Sequence, residues 1–265
     1  AVEGDLAAAK ETSKIVENLG GGGRDVESSR LKAFITKQEG KNVEALIQLE
    51  DLRPRVMDTP YAPQVNLWLA QCYGALEQWD RQIEAYERLL ARQPDDVNTL
   101  IGLARAKSML AKTDEAFQLL VKVRKQFGEN EEGNKKFCTT PEAWGIYFEM
   151  ALRRELAKAE KNRNWDDLNR LLSYVEKYKG TSPLLLENFR LDILARQNKV
   201  DEVRKKLDVL LQQETADPNK QGSLNLWLMH VRLLPFEKDK GGIDKAFEVL
   251  ADLEKRFGDI EPLRM

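Results

Sequence analysis

A short sequence motif, called the repeated phrase below, recurs along this chain and sets the pattern of its hydrophobic and polar positions. Each copy begins with a polar turn or a helix breaker, continues with a hydrophobic residue or Thr and an acid, and then runs into apolar residues at helical spacing. The steps between successive copies are 36, 34, 52, 35 and 43 residues. A spacing near 34 residues with two helices in each unit predicts an α-helical solenoid of about six helix pairs. The copies begin at Val43, Trp79, Thr113, Trp165, Val200 and Ile243.

The clearest unit spans residues 66–94. Residues 66–74 place apolar side chains at positions i, i+3 and i+4, which predicts an amphipathic first helix. After a polar turn, Trp79 opens a second helix, which Pro94 ends because a proline cannot continue the helical hydrogen bonds. The same pattern returns 34 residues later, where Gly128 takes the place of Pro94.

These residues resemble the tetratricopeptide repeat family. The family places a large and a small apolar residue on the first helix, an Ala where the two helices cross, and a Pro at the end. One unit has Leu69-Ala70 and Pro94, and the next has Leu103-Ala104 and Ala116, whereas Gln82 departs from the pattern at the place of the crossing Ala. The resemblance implies an all-α superhelix, a right-handed solenoid whose first helices line a concave groove.

The repeat pattern extends over most of the chain, with interruptions. We expect residues 1–23 to form an N-terminal helix and a Gly-rich turn that belong to the array, and residues 24–265 to form the solenoid. Two polar insertions, near 129–140 and 214–222, lengthen the period and predict loops between helix pairs. Thr140-Pro141 then predicts the cap and first residue of a helix that runs past residue 158.

Composition and charge narrow the range of partners. Hydrophobic residues make up 42% of the chain and apolar stretches are only a few residues long, so no membrane insertion is expected. The net charge of −2 gives no overall field that would attract nucleic acid, and the basic clusters at 153–154 and 204–206 are interleaved with acids. The sequence indicates no compartment, the cytoplasm being the default expectation.

Residues that carry chemistry are scarce. His230 has no evident partner for general-base catalysis, and with Cys72 and Cys138 it lacks the spacing of a zinc site. Cys72 lies within an apolar helix face, where a small buried side chain is expected. Asp95-Asp96 and Asp166-Asp167 lie at predicted helix starts, which favours capping. We therefore predict no enzymatic activity, no catalytic residues, no metal and no cofactor.

The leading hypothesis is a non-catalytic scaffold that binds a protein or peptide in the groove of first helices. A clamp for the C-terminal carboxylate of chaperones is not expected, because Leu67, Gln71 and Gly102 stand where that clamp has its basic and amide residues. Two alternatives remain: a structural or self-associating array, and a helical-repeat RNA binder. The residues predicted to face a partner are Lys37, Gln64, Gln71, Asn98, Arg105 and Glu149.

The C-terminal part repeats the middle of the chain. Asp114-Glu115-Ala116-Phe117 returns as Asp244-Lys245-Ala246-Phe247. Because the residues after Phe257 imitate a junction that elsewhere leads into another unit, we expect an exposed apolar strip involving Phe247, Leu250 or Leu253. A further repeat or a second copy of the chain, forming a homo-oligomer through the last helix pair, would cover that strip.

Overall fold

Helices make up nearly all of the chain that the structure describes. The computed structural model describes residues 2–18, 26–179, 181, 183–215, 224–233 and 242–258, and it contains no strand within them. The helices are α1 (Val2–Asn18), α2 (Val26–Gln38), α3 (Asn42–Val56), α4 (Ala62–Ala75), α5 (Trp79–Arg92), α6 (Val97–Met109), α7 (Thr113–Phe127), α8 (Glu131–Cys138), α9 (Pro141–Ala157), α10 (Asp166–Lys177), α11 (Pro183–Arg196), α12 (Val200–Thr215), α13 (Leu224–Leu233) and α14 (Gly242–Phe257).

The predicted second helices are present at the predicted places. The helices α3, α5, α7, α10, α12 and α14 each begin within one residue of the repeated phrase. Each follows a first helix, so the described chain is a succession of helix pairs. The predicted fold class, an all-α array of tetratricopeptide-like helix pairs, is confirmed.

The turn between first and second helix has the same backbone shape in several pairs. A residue with left-handed backbone lies two positions before the second helix. The backbone N–H of the residue that follows it donates a hydrogen bond to the carbonyl five residues earlier. Thus the Gln78 N–H donates to the Tyr73 carbonyl at 2.9 Å. This hydrogen-bonded arrangement closes the first helix and reverses the chain. The left-handed residues are Gly40, Glu77, Ala111 and Asn198, with φ of 76°, 56°, 56° and 58°.

The chain divides into two compact units, Ala1–Asn164 and Trp165–Met265. In the first unit, each second helix packs against its own first helix and against the first helix of the next pair. Leu49, Leu69 and Leu120 are fully buried between helices. Cys72 is also fully buried, as the sequence predicted.

Glycines allow α5 to approach both of its neighbours closely, α4 on one side and α6 on the other. A Cβ added to Gly74 on α4 would lie 2.3 Å from Nε2 of Gln82 on α5. Likewise, a Cβ on Gly102 of α6 would lie 2.5 Å from Cζ of Tyr86. The missing side chains therefore make room for Gln82 and Tyr86.

Among the described residues of the second unit, two apolar clusters share Trp227 as a neighbour. Leu191, Val203, Leu207 and Leu226 bring together α11, α12 and α13. Val231 on α13 packs with Ala246 and Leu253 on α14. The burial of Ala246 agrees with its predicted place at a helix crossing.

The polar segment near 129–140 was predicted to be a loop, and this is wrong. Residues 131–138 form α8, whose first turn is capped by the Asn130 side chain, which accepts from the Gly133 N–H at 2.8 Å. Phe137 and Cys138 are buried and anchor the end of α8. Only those two apolar residues and a mid-helix glycine mark the helix in the sequence, so its periodicity was too short to detect.

Two further details differ from expectation. Helix α9 begins at Pro141 as predicted, but it ends at Ala157 and does not run past Lys158. The Thr140 hydroxyl donates to the Lys136 carbonyl at 2.9 Å and does not cap α9. The predicted turn at 20–23 and the insertion after Thr215 lie outside the described residues. Of the described helices, none is both long and apolar enough to cross a membrane.

Candidate partner-binding face

The first helices of the first unit have one packed side and one exposed side. On α4, Val65, Leu69 and Cys72 are buried, while Gln64 and Gln71 are exposed. The exposed residues recur about every seven positions, which keeps them on one side of a helix. We name this surface of α4, α6 and α9 the first-helix face; it is formed by Gln64, Leu67, Gln71, Asn98, Arg105, Met109, Glu142, Glu149 and Arg153.

Most of the predicted contact residues lie on this face. Exposed side chains are found at Gln64 and Gln71 on α4, at Asn98 and Arg105 on α6, and at Glu149 on α9. Lys37 on α2 differs, because it is half-buried. Burial raises the pKa of the Cys72 thiol, and the charge of the Lys37 ammonium partly opposes that rise, which places Lys37 beside α4.

A hydrogen bond links the first-helix face to α2. Arg30 Nη1 donates to Gln64 Oε1 at 2.5 Å. The same guanidinium lies 4.8 Å from the centre of the Tyr61 ring and pairs with Glu27 at 2.7 Å. Hydrogen bonds from Tyr61 and Arg30 lower the pKa of the Glu27 carboxyl. Gln64 is therefore held by a defined neighbour.

Charged pairs occupy the other end of the first-helix face. Arg105 on α6 lies 3.3 Å from the Glu142 carboxylate on α9, which joins successive first helices. Glu149 pairs with Arg153 one turn later on α9. Both pairs are largely exposed to solvent. Such pairs contribute little to stability and can exchange partners at low cost.

The side-chain amides of Gln71 and Asn98 differ from the residues above in that they have no bonded neighbour among the described residues. Within residues 26–179, no hydrogen bond or ion pair engages either side chain. Both are exposed, and they lie on consecutive first helices, α4 and α6. Their donors and acceptors are thus available for a ligand.

Two apolar residues of this face were not predicted as contacts. Leu67 is 38% exposed and Met109 is 54% exposed. The amphipathic pattern carried a signal for Leu67, since a large apolar residue stood on the polar side of α4. Met109 lies at the end of α6, where the helical pattern fades. Together they add apolar contact area to a mainly polar surface.

The position that a carboxylate clamp would use on α6 is a glycine packed against the ring of Tyr86. Gly102 lies beneath the Tyr86 ring, whose Cζ and Oη approach the place of a Cβ to 2.5 and 2.6 Å. Tyr86 would have to move for any larger residue to fit. The structure thus gives a packing reason for the glycine noted in the sequence.

A cavity on the second-helix side is a weaker candidate. It measures about 580 Å³ and lies between α3 and α5. Its arginines already hold carboxylates, since Arg53 pairs with Glu50 at 3.0 Å and Arg81 with Glu84 at 3.3 Å. Burial and the hydrogen bond to Glu50 raise the pKa of Tyr73 to about 12. Each of these pairs lies within one helix, so these arginines are already engaged by neighbouring carboxylates.

The second unit contains His230, the one histidine of the chain. The His230 ring lies edge-on to the Trp227 ring, with centroids 6.1 Å apart. Across the part of the chain that the structure describes, no three His, Cys, Asp or Glu side chains are grouped so that they could hold a metal.

Comparison with known proteins points to one family for part of the chain. Residues 63–106, which contain all of α5 and most of α4 and α6, match the family model for the tetratricopeptide repeat. No curated protein matches the chain by sequence.

Solved structures resemble the chain over most of its length. Pseudomonas aeruginosa pilF is 12% identical, with 90% of this chain and 95% of that chain covered and a TM-score of 0.54. A tetratricopeptide repeat protein from Parabacteroides merdae is 12% identical, with 90% and 96% covered and a TM-score of 0.55. At this identity the likeness concerns the fold. The resemblance to the tetratricopeptide repeat family is therefore confirmed, by the family model for residues 63–106 and by the fold for the array of helix pairs.

Proposed function

We propose that this protein is a non-catalytic scaffold that binds an extended segment of a partner protein on the first-helix face. Tetratricopeptide folds generally serve as protein-interaction scaffolds. The repeat pattern requires only the buried residues, so the exposed side of the first helices is available for recognition. The exposed amides of this face favour peptide binding over the alternatives of a self-associating array and of an RNA binder.

The observation that carries this proposal is the pair of unengaged amides, Gln71 and Asn98, on consecutive first helices. An amide side chain both donates and accepts hydrogen bonds. An extended peptide backbone offers donors and acceptors in alternation along its length. Amides on neighbouring helices can therefore hold a peptide backbone without demanding a particular peptide sequence.

Arg105 adds preference for an acidic partner. Its present partner, Glu142, is held in an exposed pair that costs little to open. A carboxylate of the bound segment can take the place of Glu142, and a guanidinium binds carboxylates in a two-pronged fashion. Leu67 and Met109 supply apolar contacts beside these polar groups.

A displayed library of random peptides tests this proposal with a matched pair of variants. The first variant, Gln71→Ala with Arg105→Ala, removes an amide and a guanidinium from the first-helix face. The control, Gln118→Ala with Arg81→Ala, removes the same groups from exposed positions on the second helices α7 and α5. Peptides selected on the parent should bind the first variant at least about tenfold more weakly and the control unchanged.

Thermal unfolding must be similar for both variants, because none of the four residues is buried. If the selected peptides bind the first variant as tightly as the parent, the first-helix face is not the binding site. If only the control loses binding, the second-helix side is the interaction surface.

A further inference from the structure

Helices α7 and α14 carry the same sequence pattern but are covered differently. Asp114 and Phe117 on α7 correspond to Asp244 and Phe247 on α14. Both helices are second helices, and both bury a small residue at the crossing, Ala116 or Ala246. The two helices can therefore be compared position by position.

On α7, this acid and aromatic pair is bound by the next first helix. The ring of Tyr147 on α9 lies 4.9 Å from the ring of Phe117, measured between centroids. The guanidinium of Arg154 lies 4.3 Å from the centre of the Phe117 ring. Arg154 Nε also lies 2.8 Å from Asp114 Oδ1. One arginine thus stacks on the aromatic ring and pairs with the acid.

The two α9 residues have a simple spacing. Tyr147 and Arg154 are seven residues apart, which is about two helical turns, so both side chains project from one side of α9. An aromatic residue followed seven positions later by an arginine is thus the part of α9 that contacts the acid and aromatic pair of α7.

On α14, the same pair is exposed. The Phe247 side chain is 67% exposed, whereas Phe117 is half-buried. Asp244 is exposed as well. Leu250 is half-buried, whereas its counterpart Leu120 is fully buried.

The opposite side of α14 is well packed. Leu253 is fully buried and lies in one cluster with Val231 of α13. The earlier expectation of an apolar strip is therefore right for Phe247 and wrong for Leu253, which faces α13. The exposure of Phe247 is not a sign that α14 is detached, because Leu253 on the same helix is fully buried.

We propose that Asp244 and Phe247 form a docking site for a helix of a partner protein, one that carries an aromatic residue and an arginine seven positions later. We name it the α14 docking site. The arginine of the partner stacks on Phe247 and pairs with Asp244, as Arg154 does on α7. A lysine would serve less well, because only the planar guanidinium can stack and donate in two directions. The proposal does not depend on the first-helix face.

A second copy of this chain is a poorer occupant. Its α9 is not available, because Tyr147 and Arg154 already contact α7 of the same chain. Its α11 has the same spacing at Phe189 and Arg196, but Phe189 is half-buried and Arg196 already pairs with Asp192 at 3.4 Å. In a symmetric contact between two α14 helices the arginine would have to be Arg256, which already lies 5.2 Å from the centre of the Trp227 ring. The charge pattern therefore favours a different helix.

Binding of a synthetic α9 peptide tests this inference. The probe is residues 141–157, stapled on the side opposite Tyr147 and Arg154, because short isolated helices are marginally stable. Fluorescence anisotropy measures its binding to the whole chain. Phe247→Ala and Asp244→Lys should each weaken binding by about tenfold or more. The matched control, Glu248→Lys, makes the same charge change at an exposed neighbouring position and should leave binding unchanged.

A charge exchange separates a specific pair from general electrostatics. A peptide with Arg154→Glu should bind the parent poorly and should recover binding to the Asp244→Lys variant. The inference is overturned if the parent does not bind the peptide, or if Phe247→Ala binds it equally well. It is also overturned if sedimentation shows that the parent forms dimers that Phe247→Ala abolishes, since a second copy would then occupy the site.

Discussion

The helix pairs α4–α5 and α6–α7 follow the same 34-residue period but distribute bulk differently where their helices cross. In the first pair, Gln82 on α5 fills the crossing and Gly74 on α4 leaves room for it. Thirty-four residues later, Ala116 is the small residue and Ser108 stands at the place of Gly74, both of them buried. The first pair thus has a long side chain on the second helix opposite a glycine, whereas the second pair has a small side chain on each helix.

This difference explains the departure of Gln82 from the family pattern. The pattern specifies a small residue on the second helix, but close packing requires only that the volumes on the two sides sum correctly. Gln82 also has a cost, because its Oε1 is buried without a hydrogen-bond partner in the described part of the chain.

The largest expected effect comes from placing bulk and charge at the crossing that has no glycine. Ala116→Glu should lower the free energy of unfolding by about 3 kcal/mol or more, because a carboxylate is buried in a fully packed site. Denaturant unfolding followed by circular dichroism measures this. Gln118→Glu, at an exposed position on the same helix, should have little effect. An unchanged midpoint for Ala116→Glu would refute the alignment of the two crossings.

A smaller effect is expected from giving the α4–α5 crossing, Gly74 and Gln82, the residues of the α6–α7 crossing, Ser108 and Ala116. Gly74→Ser forces the Gln82 amide out of its place and should cost about 1–2 kcal/mol. Gln82→Ala alone leaves a void and should cost about 1 kcal/mol. The double variant recreates Ser108 and Ala116, so it should be more stable than the sum of the single changes by at least about 0.5 kcal/mol. Simple additivity in a double-mutant cycle would show that the two positions do not share a volume.

The smallest effect concerns the turn that both pairs share. Glu77 and Ala111 have left-handed backbone, which is unfavourable for residues with a Cβ. Ala111→Gly should therefore raise the free energy of unfolding by about 0.5–1 kcal/mol. Lys112→Gly, at an adjacent residue with a φ of −78°, should give no such gain. Equal effects of the two changes in thermal unfolding would rule out relief of backbone strain.

The starts of the second helices were predictable because each is marked by local signals, an acid in the first turn and an apolar run after it. Helix α8 was not predictable from its pattern, because its stability depends on tertiary contacts. Its Gly133 is required by close packing, since an added Cβ would lie 2.1 Å from the Gly128 carbonyl oxygen. No periodicity reveals such a contact.

The candidate site was predictable only where its features follow from the helical period and not from contacts between helices. Exposure of Gln71, Asn98 and Arg105 follows from the helical period once the buried stripe is known. The half-burial of Lys37 and the pairing of Arg105 with Glu142 depend on neighbouring helices that are distant in sequence. Contacts between side chains on helices that are distant in sequence cannot be predicted from the pattern of a single sequence.

The hydrogen-bonded turn before the second helices also bears on how the chain folds. It forms from residues at most five positions apart, so each helix pair can close before distant parts of the chain meet. Contacts between consecutive helices then require only short loops, whose closure costs little entropy. A chain of this kind has low contact order and folds quickly. Each unit can also open stepwise from its ends, so amide protection should be highest in the middle helices and lowest in the terminal ones.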